Sequence, residues 1–173
     1  MRTMRRYRGW IAPVVAFGGV SLLLGLLYFQ PQKLFLNERH NDPLPAVPVT
    51  GGAPRSTSQA EDRVLLNGEL RSLEHRSSGR VRLIALADGS RILRFEALAT
   101  SNGPDLHVYL TTTSASSSWY GYDRDFVDLG SLKGNLGNQN YAVPASVDVS
   151  RYRTAVIWCK RFAVGFAVAA LAE

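Results

Sequence analysis

The chain has 173 residues, 20 Lys and Arg against 14 Asp and Glu, a net charge of +6 and a single cysteine, enough for one ordinary domain and something smaller. The basic excess does not mark a nucleic-acid binder. Residues 1–60 hold seven Lys and Arg against two acids, leaving thirteen against twelve for the rest, a near-neutral domain without the concentrated cationic face that nucleic acid requires.

Four arginines, Arg2, Arg5, Arg6 and Arg8, precede the uncharged run WIAPVVAFGGVSLLLGLLYF from Trp10 to Phe29. About 20 such residues cross a bilayer, and arginines on the N-terminal flank set that end in the cytoplasm. The expectation is a basic cytoplasmic tail over 1–9 and a single-pass transmembrane anchor over 10–29, with Trp10 and Tyr28 at the two interfaces. The domain that follows then lies outside the cytoplasm, on the cell membrane. A cleaved signal peptide is the competing reading. The apolar run exceeds the usual ~7 to 15 residues and no A-x-A-like site follows it, which favours an uncleaved signal-anchor. No cysteine follows the run to accept a lipid, and Gly18, Gly19 and Gly25 form no G-x-x-x-G pair.

Residues 30–60, with Pro43, Pro45, Pro48 and Pro54 among Gly, Ser and Thr, read as a spacer that holds the domain of 61–173 away from the headgroups. Strand signals then begin. Val81, Leu83, Ala85 and Ala87 alternate, Asp88-Gly89 supplies a two-residue turn, and Leu93, Phe95 and Ala97 alternate back, which is a hairpin. Leu106, Val108 and Leu110 share one face of a further strand, and His107, Tyr109 and Thr111 take the other. The stretch DLGSLKGNLGNQ reads as Gly- and Asn-rich loop before NYAV enters a short strand ended by Pro144. TAVIWCKRF and AVGFAVAAL read as two central strands, the second because Phe162, Val164, Phe166 and Val168 alternate. The fold class is all-β, an antiparallel β-sandwich or barrel of about seven to nine strands.

Cys159 cannot form an internal disulfide, so it is an inert core thiol, an intermolecular bridge, a reactive thiol or a ligand. Strand alternation puts it on one face with Ile157 and Arg161, opposite Trp158, Lys160 and Phe162. Arg161 is thus the candidate cation for lowering the thiol's pKa. A haem or redox-metal site has only His75, His107 and Cys159 to draw on within the domain. His107, mid-strand beside Asp105, is the better histidine, and the ordinary alternative for each is a hydrogen-bonded or solvent-facing ring. Asp123, Asp125 and Asp128 lack the turn glycine and bidentate Glu of a calcium loop and read as solvated. Gly130, Gly134 and Gly137 read as turn residues, because Lys133 precedes its glycine and no strand-loop-helix context exists. Tyr152 is placed to satisfy a nearby backbone group at a corner. No G-x-S-x-G elbow occurs, and two domain histidines with no recognisable nucleophile spacing make a hydrolase unlikely.

Three ordered stretches, SNGPDLHVYL, DLGSLKGNLGNQNYAVP and YRTAVIWCKRFAVGFAVAAL, together with HRSSGRVRLIALADGSRILRFEAL, resemble the DM13 domain, also called the electron-transfer DM domain. The resemblance implies a β-sandwich-like extracytoplasmic module, often membrane-attached in bacteria and found in animals beside redox-type DOMON domains. It also implies electron transfer or oxidative modification at the cell surface, with a redox or protein partner outside the cytoplasm. The family's characteristic cysteine, suggested to act as a free thiol or to bind a group such as haem, corresponds to Cys159. A non-enzymatic binding or adhesion module, with Cys159 as core, is the alternative.

Overall fold

The computed structural model describes residues 4–29, 36–45, 62–116 and 118–173, with side chains in the first helix placed from Pro13 onward. Helix α1 runs Met4–Phe29, so the basic tail expected over 1–9 is helical from Met4. Among the described residues no helix is long and apolar enough to cross a membrane, and the structure lends the expected span over 10–29 no support of its own.

The rest is β: β1 Arg39–Asn41, β2 Arg63–Glu69, β3 Arg71–Ser72, β4 Ser78–Ala85, β5 Arg91–Ala99, β6 Leu106–Thr111, β7 Phe126–Ser131, β8 Leu136–Val143, β9 Thr154–Cys159 and β10 Val164–Ala170. They form two five-stranded sheets, β1-β8-β5-β4-β2 and β3-β10-β9-β6-β7. This is a sandwich rather than a closed barrel. Every pairing is antiparallel except β1 on β8. The strand count exceeds the expected range because β1 and β3 have only three and two residues.

One core lies between the sheets. Val81 and Leu83 of β4 and Leu93 and Phe95 of β5 face Val108 and Leu110 of β6 and Ala155, Ile157 and Cys159 of β9. A second cluster lies on the far side of the second sheet, where Val156, Trp158, Tyr109 and Val168 are covered by Tyr122 with Leu73 and Ala115 against them. Both faces of β9 are therefore buried, which is why TAVIWC is apolar at every position but its first. Trp158 and Phe166 are 2% and 3% exposed.

Several local expectations are corrected. The β4–β5 hairpin closes with Leu86 bonded to Ser90, so its loop has three residues, Ala87 to Gly89. The Gly89 N–H donates to the Leu86 carbonyl oxygen at 2.9 Å, with Gly89 at φ +83°, a turn conformation that glycine adopts without a Cβ penalty. Alternation in β5 breaks at a register shift between Phe95 and Leu98. Ala97 sits at φ +49° and is exposed, and Leu98 takes the inward position instead. A second shift lies between Gly165 and Ala167. Phe166 is the extra residue, so Val164, Phe166, Ala167 and Ala169 face the main core while Val168 faces the other cluster. Phe162 is not on this strand at all, since Lys160–Ala163 form the turn into it. Bulges of this kind reset the two-residue period.

The stretch read as Gly- and Asn-rich loop contains β7 and the first half of β8. The expected spacer differs at its start: residues 36–45 are bound to the domain, while 30–35 and 46–60 lie outside the described residues. Asn41 and Asp42 bond Asn138 and Asn140 of β8, with Asn138 N–H donating to Asn41 Oδ1 at 3.0 Å and Asn140 N–H to Asp42 Oδ2 at 2.9 Å. Buried Asn135 accepts from the Glu38 N–H at 2.7 Å and donates to Asn37 Oδ1 at 2.9 Å. β1 lies so close to β8 that a Cβ on Gly137 would collide with the His40 carbonyl oxygen. Glycine is required there, as it is wherever another backbone approaches this closely.

Candidate functional site around Cys159 and His107

Cys159 ends β9, in register with Leu106 of β6 and Val164 of β10, and is wholly buried. Burial pushes its thiol pKa up, backbone N–H groups of Phe162 and Arg161 pull the other way, and the Asp105 charge adds to the rise. The net direction is upward, toward the neutral thiol. Arg161 is not on the strand with Cys159. It lies in the turn, and its guanidinium stands 4.7 Å from the centroid of the Tyr28 ring, an arrangement typical of cation–π attraction. Its charge is turned to Tyr28, and it acts on the thiol through its backbone N–H.

His107 is opposite Trp158 in the β6–β9 register, one position along from the Leu106–Cys159 pair. Successive residues project to opposite faces, so the imidazole and the thiol leave the sheet on opposite sides. They cannot share one iron or copper. The ring is held by its own partners: Nδ1 lies 2.9 Å from Asp128 Oδ1, Nε2 lies 3.4 Å from Asp105 Oδ1, and Asp128 Oδ2 lies 3.4 Å from Lys160 Nζ. His75, beside Glu74, lies with its ring centroid 3.9 Å from that of Phe166. Among the described residues no three His, Cys, Asp or Glu are grouped to hold a metal. Cys159 and His107 therefore do not converge on a shared metal site.

The line Asp128, His107, Ser131 has the order of a charge-relay triad, with Ser131 Oγ 3.4 Å from Nε2. Asp105 approaches that same nitrogen. Nε2 therefore faces a carboxylate as well as the hydroxyl, and Ser131 Oγ at 3.4 Å stands beyond the reach expected of a nucleophile paired with its base. Burial, followed by the charges of Asp128, Asp123 and Asp105, pushes the neighbouring Tyr109 hydroxyl up to about 12. Asp125 serves the fold: it pairs with Arg151 at 2.9 Å and accepts the Tyr152 hydroxyl at 3.4 Å. Tyr152 thus reaches a carboxylate, not the backbone group expected of it.

A family model described as electron transfer DM13 matches residues 69–171. The chain belongs to the DM13 family. The DM13 match begins at the last residue of β2 and runs past the end of β10, so it includes Cys159, Arg161, His107 and both carboxylates that flank His107. It leaves out α1, β1 and nearly all of β2. No curated protein and no solved structure matches the chain.

Within the DM13 domain, alternation along TAVIWC correctly joins Cys159 to Ile157. The Asp128 partner of His107 carries no comparable signal, because it crosses from β7, which Gly130 disguises as loop. Sealed burial has a direct chemical consequence. Alkylation of Cys159 in the folded protein is expected to run at least about 10³-fold slower than for a free thiol, the low end of a small domain's unfolding equilibrium, and to reach the free rate in denaturant. Reaction of the folded protein within tenfold of the free rate, checked by mass spectrometry over time, contradicts the sealed thiol.

Proposed function

We propose that the chain is a membrane-anchored, extracytoplasmic electron-transfer module whose redox role centres on Cys159. The observation that carries this is the DM13 match over 69–171, which contains the chain's only cysteine. Cys159 is one residue from the exposed Lys160, at the end of a strand and the start of a turn.

Anchoring is supported by the uncharged run Trp10 to Phe29 and the four arginines before it. An anchor also accounts for the surface of α1, where Val14, Phe17, Leu22, Leu23 and Leu27 are 56% to 77% exposed. At 100° per residue these side chains point in all directions around the axis. A helix apolar all round is covered by lipid or protein, and twenty residues at 1.5 Å each match a hydrocarbon layer of about 30 Å.

Full burial of Cys159 and its raised pKa favour a second reading, a binding or adhesion module in which the cysteine is core. Voltammetry of the full chain in lipid discs separates the two. A reversible wave that disappears in a folded Cys159→Ser variant supports the redox reading, whereas no wave, or one unchanged by the substitution, leaves the binding module. A reporter enzyme fused after Glu173 tests topology, and a cytoplasmic reporter overturns the extracytoplasmic placement.

A further inference from the structure

The sandwich has two ends, and features that concern the bilayer gather at one of them. The last turn of α1 meets the β9–β10 turn. The Phe162 and Phe29 rings stack at 6.2 Å with 13° between their planes, and Arg161 covers Tyr28. Between them runs an open groove of about 580 Å³ lined by Leu24, Gly25, Leu27, Tyr28, Phe29 and Arg161. The chain rejoins the domain at this same end. The Leu36 carbonyl oxygen accepts from Asn102 Nδ2 at 3.2 Å, and Asn102 lies in the loop between β5 and Leu106, the residue paired with Cys159.

Phe29 and Leu36 are separated by seven residue steps, a reach of no more than about 25 Å. The helix end and the re-entry point are thus tethered to one end of the sandwich. We propose that this end rests on the lipid headgroup layer, with Phe162 at the boundary between headgroups and acyl chains. The proposal depends on the membrane-anchored reading above.

The chemistry of the end fits that occupant. Phe162 is 48% exposed at the tip of the turn, and Lys160 beside it is exposed. Arg76 is exposed at the same end, next to Ser77, whose hydroxyl bonds that of Thr100 at 2.7 Å. Aromatic rings settle at the interface level, and long cations reach phosphate from there. Arg161, which lines the groove, adds a cation at the helix end. Glu38, Glu74 and Asp105 share this end, so attachment comes from the ring and the local cations rather than from net charge. The opposite end carries the Ala87–Gly89 loop, beyond the nine residues of β5, or about 25 Å away.

The test uses the full chain in phosphatidylcholine discs. In a Cys159→Ser background, Phe162→Cys and Asp88→Cys each carry an environment-sensitive dye, and nitroxide lipids serve as quenchers. The expected result is a blue-shifted dye at position 162, quenched several-fold more than the one at 88. Equal quenching at both positions, in a chain that still floats with lipid, overturns the docking and leaves the anchor intact. A chain that does not float with lipid overturns both. If Cys159→Ser does not fold, hydrogen exchange on the unsubstituted chain decides. Amides of Lys160–Ala163 are expected to exchange several-fold slower in discs than in detergent while those of Ala87–Ser90 do not change, and an equal change at both ends overturns the docking.

Discussion

Trp158→Ala is expected to cost about 3 to 5 kcal/mol, the usual range for emptying a large aromatic site in a core. The indole is 2% exposed, with Tyr109 stacked at 6.2 Å and Tyr122 edge-on at 6.4 Å. β9 is the middle strand of its sheet, so the gap opens where neither neighbouring strand can close over it. Tyr122 comes from the loop that covers this face, and its hydroxyl is bonded to Ser116 at 3.1 Å. The loop is therefore held in place and relaxes little into the void. Urea unfolding followed by far-ultraviolet circular dichroism reads the loss, and a value below about 1 kcal/mol would place the side chain outside the core.

A second large effect is expected at Asp42, the residue that fastens the segment after α1. Burial raises its carboxyl pKa, but the Asn140 N–H, Lys133 and His40 together bring it down to about 2 from 3.8. A depressed folded pKa contributes stability that is complete above the unfolded value and lost as pH falls. Here the loss runs from about 4 down toward 2. The difference corresponds to about 2 kcal/mol. Asp42→Asn is expected to lose that amount at neutral pH and to show a shallower decline in acid. The decline does not vanish, since Asp128 and Asp148 also have lowered pKa values. An unchanged acid limb would remove Asp42 from the account. Limited proteolysis of the variant, expected to cut faster within 36–45, reports release of the segment itself.

What was legible in the sequence follows from how each feature is encoded. The hairpin of β4 and β5, the strand of His107 and the inward direction of Cys159 all rest on apolar alternation, which the sandwich enforces directly. Phe166 and Ala97 mark where this reading stops. A bulge adds a single residue and reverses every later side chain, and nothing in the hydrophobicity of AVGFAVAAL distinguishes Val168 facing one core from Val168 facing the other. β7 and the start of β8 were hidden because their order comes from backbone pairing and glycine conformations rather than from buried side chains. β1 is the extreme case. Asn37, Asn41 and Asp42 bind through side-chain and backbone hydrogen bonds among prolines, a composition that otherwise signals disorder. For the site, alternation placed the thiol but not its relation to His107, because that depends on which β6 residue lies opposite which β9 residue. Arg161 was misplaced for a simpler reason: the strand ends two residues before it.

The pairing of β1 with β8 also bears on how the domain avoids its own kind. β8 is eight residues long and rich in Asn and Gln, with the sequence LGNQNYAV. Without β1 it would be the outer strand of its sheet, presenting unpaired N–H and C=O groups in a row, which is the template for edge-to-edge association. The Leu36–Pro45 segment occupies that edge and carries Pro43 and Pro45, which end any further extension. A fragment that starts at Arg63 keeps every β-strand of the DM13 match and still exposes this edge. Its tendency to self-associate would therefore reflect the cut and not the protein, whose own chain serves as guard for that strand.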